Sequence, residues 1–148
     1  MCSLFFERFV LFFCLKIERF VPETTEIWIC GLYLIAEDTD SNYDLLNAIL
    51  GKQYRLVRAN DGMEAVLLYD EVKPDLVLMD IKMPNLDGLE ATKIIRELSA
   101  TVPIIAQSAF AYEHDVKAAM EAGCNDFIAK PIAQSKLKEV INKWLTTE

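Results

Sequence analysis

Five times between residues 32 and 145 a short apolar run gives way to a stretch with apolar residues at helical spacing, and few folds accommodate that rhythm. LYLIAED is a first strand running into Glu37 and Asp38, and SNYDLLNAIL places Leu45, Leu46, Ile49 and Leu50 on a helix closed by Gly51. YRLVRA is a second, more polar strand, followed by the helix DGMEAVLLYDEV. In DLVLMD the third strand ends on Asp80, and GLEATKIIREL is its helix. VPIIAQSA is the fourth strand, with Pro103 at its start, where no ladder donor is lost. YEHDVKAAMEAG is a helix ended by Gly123. DFIA is a short fifth strand, and the last helix buries Leu137, Val140, Ile141, Trp144 and Leu145. Continuous apolar runs such as Leu76–Met79 read as strands covered on both faces, the kind parallel sheets contain. Five βα units therefore specify an α/β fold: a doubly wound five-stranded parallel sheet with helices on both faces.

At 148 residues and 53% hydrophobic, the chain suits one core rather than two. Its net charge of −8 argues against direct nucleic-acid binding, which needs a basic face. Beyond residue 29 there are 12 basic against 19 acidic residues, so the acidity belongs to the body of the domain. That bias suits a cation site as well as a solvated surface. Cys2, Cys14, Cys30 and Cys124 form no CxxC pair and have no histidine at metal spacing, which leaves reduced cytosolic thiols.

Residues 1–29 differ from residues 30–148 and are set apart as a Phe-rich extension, helical or disordered. Their longest uncharged run, Phe9 to Leu15, is far short of the roughly 20 residues of a spanning helix. No membrane span is expected, and the start lacks the basic residues and cleavage site of a signal peptide. Drawn as a helix, the segment places Glu7, Arg8, Glu18 and Arg19 on one face and most aromatics on the other, with Lys16 misplaced. The tail of something larger, or an early start to the reading frame, accounts for it better than a dedicated anchor. Pro22 and the following ETTE mark the break before the domain.

In open parallel sheets, ligands bind where the carboxyl ends of the strands emerge. Asp80 stands at such an end, where an aspartate serves a turn as naturally as a reaction. Its counterparts carry the argument. Strand one ends in Glu37 and Asp38, strand four in Ser108, and strand five in Lys130 followed by Pro131. Clustered carboxylates raise one another's pKa, and a hard cation such as Mg²⁺, bound by carboxylates and phosphate oxygens, removes that cost. A nucleophilic carboxylate, a metal, a lysine and a hydroxyl are the parts of phosphoryl transfer through an acyl phosphate.

The Glu37–Asp38 pair, the MDIKMPNLDG block, the PIIAQSA strand and the FIAKP segment, in order and spacing, resemble the receiver domain of two-component response regulators over residues 32–145. The resemblance implies a flavodoxin-like (βα)5 receiver fold with strand order 2-1-3-4-5 and Mg²⁺ as cofactor. It implies that Asp80 is the phospho-acceptor and that Asp38 ligates the metal directly. Glu37 would act through metal-bound water, and the backbone carbonyl of Lys82 would be a further ligand. Lys130 would contact the phosphoryl group, held by a cis bond to Pro131. The Ser108 hydroxyl and the Phe127 ring would form the switch that biases the face made by the fourth helix, fifth strand and fifth helix, which partners read.

The implied partners are a sensor histidine kinase or histidine phosphotransfer domain and a downstream effector, with a homodimer also compatible. The expected setting is the cytoplasm, or the cytoplasmic part of a membrane-bound hybrid kinase. Such a module catalyses its own phosphorylation and dephosphorylation but is a signalling device. EDTDSN and GLEATKIIRELS favour the receiver of a hybrid sensor kinase, working as a phosphorelay intermediate, over the chemotaxis type. A metal-dependent aspartyl phosphohydrolase needs a second Asp two residues after the nucleophile, where this chain has Lys82; an intact acceptor set argues against a degenerate receiver. Lys82 and Phe110 occupy positions where the family tunes phosphate lifetime, and both also suit an ordinary surface. His114 reads as a solvated surface residue, Met79 and Met83 as strand-end packing, and Trp144 and Leu145 as core.

Overall fold

The structure, a computed structural model, describes residues 31–145. Elements alternate strictly: β1 (Leu32–Ala36), α1 (Asp40–Leu50), β2 (Arg55–Ala59), α2 (Gly62–Val72), β3 (Leu76–Asp80), α3 (Gly88–Leu98), β4 (Ile104–Ser108), α4 (Glu113–Ala122), β5 (Asp126–Ala129) and α5 (Gln134–Leu145). All strand pairs are parallel, in the order β2-β1-β3-β4-β5. This is the doubly wound sheet that the alternation demands. β3 and β4 are buried along their whole length, as their unbroken apolar runs require, whereas the more polar β2 lies at an edge and is half-buried.

Side chains alternate across each strand, so the sheet has two apolar layers. Leu34, Ala36, Val77, Met79, Ile104 and Ala106 meet Ala65 and Tyr69 of α2, Ala91 and Ile95 of α3 and Ala119 of α4. On the other face Tyr33, Ile35, Leu76, Leu78, Ile105 and Ile128 meet Leu46 and Leu50 of α1 and Leu137, Val140 and Ile141 of α5. Helix starts follow local chemistry. The Asp61 side chain accepts from the Glu64 N–H, and that of Asp87 accepts from Leu89 and Glu90, so orphan amides of α2 and α3 are satisfied. Gly123, at φ 114°, ends α4 in the left-handed region.

Several boundaries and burials differ from the expectation. β1 stops at Ala36, so Glu37 and Asp38 lie just past the strand, free to turn toward the sheet edge. β4 begins at Ile104, after Pro103. Leu45, grouped by helical spacing with Leu46, Ile49 and Leu50, is 45% exposed, because Leu46 and Leu50 already fill the inward face of α1. Trp144 and Leu145 are only partly buried at the end of α5, and Trp144 Nε1 donates to Asp126 Oδ2 at 3.0 Å. Cys124 is a free, buried thiol. The extension 1–29 and Cys2, Cys14 and Cys30 lie outside the described residues. Among the described residues, no helix is long and apolar enough to cross a membrane.

Candidate functional site

Three ionisable side chains from three strand ends meet at the carboxyl edge of the sheet. Glu37 is fully buried; its Oε1 accepts from the Thr39 N–H at 3.1 Å and from Asn42 Nδ2 at 3.3 Å. Its Oε2 accepts from Lys130 Nζ at 2.7 Å. Asp80, the last residue of β3, is 5% exposed. Its Oδ1 accepts from the Lys82 N–H at 3.3 Å and its Oδ2 from Lys130 Nζ at 3.1 Å. The ammonium therefore bridges two carboxylates. Asp38 is exposed, and one ligand oxygen each of Glu37, Asp38 and Asp80 lie within 4.8 Å of one another.

Burial, and then the neighbouring Glu37 charge, push the Asp80 carboxyl up to about 6, which the Lys130 ammonium only partly offsets. Burial also raises Glu37, but its shorter bond to Lys130 and the Thr39 N–H hold it below its ordinary value. Burial lowers Lys130, and the two carboxylates more than reverse that. The site is thus a desolvated cluster with one carboxylate incompletely neutralised.

The backbone around Asp80 is locked in place. A Cβ on Gly88 would run into the Asp80 carbonyl, so only glycine lets α3 start against the end of β3. The Gly88 N–H donates to Ile81 O at 2.9 Å. Asn85 takes a left-handed conformation at φ 64° and donates to Asp61 Oδ2 at 2.7 Å. This ties the β3–α3 loop to the start of α2.

Ser108 is buried at the end of β4, where its Oγ accepts from the Phe110 N–H at 3.1 Å. No bond from it to the carboxylates is present. Phe127 of β5 is partly buried against the layer that contains Met79 and Ala106. Lys130 follows β5, its N–H donates to Ser108 O at 2.8 Å, and its bond to Pro131 is cis, as expected. Lys82 Nζ sits 4.1 Å from the centroid of the Phe110 ring. Met79 is buried and Met83 partly buried, and neither belongs to the acidic cluster. His114 is 80% exposed, against Asp115 and the Tyr112 ring.

Sequence reading missed the groups that hold the acid pair. Arg58 of β2 donates from Nε to Glu37 O at 3.1 Å and from a terminal nitrogen to Asp38 O at 3.3 Å, while pairing with Asp40 at 2.8 Å. An arginine inside a strand was the available signal. Asn42 and Asn85 gave none, since their partners are fixed by loop geometry. Asp87 and Asp115 also line the open cleft beside Asp38 and Lys82. The oxygen-only donor set of Glu37, Asp38 and Asp80 fits a hard divalent cation.

The family model described as response regulator receiver domain matches residues 33–142. The chain is similar to the chemotaxis protein CheY of Halobacterium salinarum, at 38% identity over 114 residues, 76% of this chain and 95% of that one. It is 42% identical over 119 residues to hybrid signal transduction histidine kinase I of Dictyostelium discoideum, covering 74% of this chain but 7% of that protein. A solved receiver domain of a sensor histidine kinase from Pseudomonas aeruginosa PAO1, with a magnesium ion coordinated in its active-site cleft, has a TM-score of 0.75 and 34% identity. The match covers 79% of this chain and 98% of that one.

Proposed function

The chain belongs to the response regulator receiver domain family of two-component signalling, and from that premise we propose that Asp80 is its reversible phosphoryl acceptor. The observation that carries the reading is the Lys130 ammonium bridging Asp80 and Glu37 inside an acidic cluster of metal-binding geometry. An Asp80 oxygen attacks phosphorus; the O–P bond forms as the N–P bond of a donor phosphohistidine breaks, and the leaving nitrogen takes a proton from solvent. Water later attacks the same phosphorus, the acyl O–P bond breaks, and inorganic phosphate leaves the restored carboxylate.

Asp38, Asp80 and the Lys82 carbonyl, with Glu37 alongside, would hold Mg²⁺, which neutralises charge developing on the phosphoryl oxygens. Lys130 is already at the acceptor and turns its donors to those oxygens. Ser108 exchanges the Phe110 N–H for a phosphoryl oxygen, and Phe127 moves inward as the hydroxyl leaves. The α4–β5–α5 face then differs between the two states, and an effector, or a second copy in a homodimer, reads the difference.

Identity to a segment that is a small part of a hybrid kinase supports a second reading. Here the domain is a relay intermediate that passes its phosphoryl group to a histidine phosphotransfer partner, in the cytoplasm or on the cytoplasmic side of a membrane-bound kinase. The phosphohydrolase reading lacks its second aspartate, since Lys82 takes that position.

Incubation with Mg²⁺ and acetyl phosphate is expected to add one acid-stable, base-labile phosphoryl group, detected by mass. A wild-type protein that gains none, or an Asp80→Asn variant that gains as much, would sink the proposal.

A further inference from the structure

Gln107 is fully buried in β4, and neither its amide nitrogen nor its amide oxygen has a hydrogen-bond partner among the described residues. Its register neighbours are Asp80 on β3 and Ile128 on β5. By strand alternation it shares the face of Ile105, where Leu78, Ile128 and residues of α1 and α5 form one apolar layer. An aliphatic side chain would complete that layer, whereas an amide left unpaired there carries its full desolvation cost. Folded proteins carry such groups rarely, and each calls for a reason.

The same alternation supplies one. Asp80 lies two residues beyond Leu78 and Lys130 two beyond Ile128, so both belong to the face that Gln107 occupies. The amide stands at the carboxyl end of that face, between the strand bearing the acceptor and the strand delivering the lysine. An ammonium has three N–H donors. Here Lys130 spends donors on Glu37, at 2.7 Å, and Asp80, at 3.1 Å.

We propose that Gln107 is a positioning residue for phosphoryl transfer, its amide oxygen accepting from the Lys130 ammonium once Asp80 carries a phosphoryl group. The inference rests on the reading of Asp80 as acceptor. Formation of the acyl phosphate removes the carboxylate charge that now holds the lysine, and the ammonium keeps one N–H on Glu37 while turning another from Asp80 to a phosphoryl oxygen. That rotation aims the third N–H at the Gln107 amide oxygen. A bond gained only in the phosphorylated state stabilises that state selectively, and bonds to charged groups are the stronger class.

The test uses the full chain with Mg²⁺ and beryllofluoride as the phosphoryl mimic. Gln107→Met keeps length and apolar volume but removes both polar atoms; Gln107→Leu is the second variant. Both are expected to bind beryllofluoride about ten-fold more weakly than wild type, the share of a single charge-assisted bond. Mg²⁺ affinity without beryllofluoride should be unchanged and Tm not lowered, since an unpaired amide has been removed. A purely structural amide would alter Tm and leave the beryllofluoride affinity within about two-fold, which overturns the proposal. Parallel loss of Mg²⁺ affinity, or failure of both variants to fold, overturns it too, because the amide then serves the fold. A wild-type protein that takes neither beryllofluoride nor a phosphoryl group refutes the acceptor reading itself, a separate outcome.

Discussion

Asp80 is a carboxyl group that the fold holds in its less comfortable form. Burial and the Glu37 charge raise it to about 6, above its ordinary 3.8, so in metal-free protein the folded state keeps a proton that the unfolded state has lost. Stability contributed through this residue is therefore present at low pH and declines as pH rises from about 4 to about 6. The penalty above pH 6 is on the order of 2–3 kcal/mol by the usual conversion of pKa into free energy. Glu37 acts oppositely in a lower window: its depressed pKa supports the fold above its ordinary value and is lost as pH falls below it. Asp80→Asn keeps an acceptor for the Lys82 N–H and leaves Lys130 with Glu37. Urea denaturation in EDTA at pH 7.5 is expected to find this variant more stable than wild type, and the gain should shrink at pH 4.5. Also at residue scale, the Lys82 ammonium sits 4.1 Å from the centroid of the Phe110 ring, and the Lys82 N–H donates to Asp80 Oδ1. An exposed cation–π contact is worth about 0.5–1 kcal/mol. Phe110→Ala should therefore shorten the phosphate lifetime about two- to five-fold, measured by loss of phosphoprotein after the donor is removed.

Elements hold Asp80 through contacts between backbones. The first turn of α3 packs so closely on the end of β3 that a side chain at Gly88 would overlap the Asp80 carbonyl and crowd the Ile81 Cα. Backbone atoms cannot swing aside as a flexible side chain can. Gly88→Ala is expected to lower stability by about 1–3 kcal/mol, as overpacking does. It should also slow phosphorylation by acetyl phosphate beyond what the unfolded fraction explains, because the displaced atoms belong to Asp80, the proposed acceptor. Equal rates per folded molecule would show that α3 adjusts without moving Asp80. Arg58 plays the corresponding part for the β1–α1 loop, gripping two backbone carbonyls of the acid pair from an edge strand.

At the scale of the whole molecule, a chain of net charge −8 concentrates Glu37, Asp38 and Asp80 at one end of its sheet. A ligand that binds only the folded state stabilises it by mass action, by about 2.7 kcal/mol at a hundred times its Kd. Saturating Mg²⁺ is thus expected to raise the Tm of the wild type by several degrees, with EDTA reversing the shift. The increment should be smaller in Asp80→Asn, which has lost a ligand charge. A Tm that responds equally in both proteins would mean that Mg²⁺ acts as a general counterion.

The sequence by itself determined the βα alternation, the two-sided burial of β3 and β4 and the candidates Glu37, Asp38, Asp80, Ser108 and Lys130. Those properties are local: periodicity, capping chemistry and residue type at a strand end are written in consecutive positions. Only the tertiary structure decided that Lys130 bridges Glu37 and Asp80 across residues 93 and 50 positions apart, that Arg58 and Asn85 brace the loops, and that Leu45 faces solvent. It also decided that Gln107, one polar letter in an apolar strand, sits unpaired in register with Asp80. These facts depend on distances between segments remote in the chain, and strand register and loop packing fix such distances only once the sheet has closed.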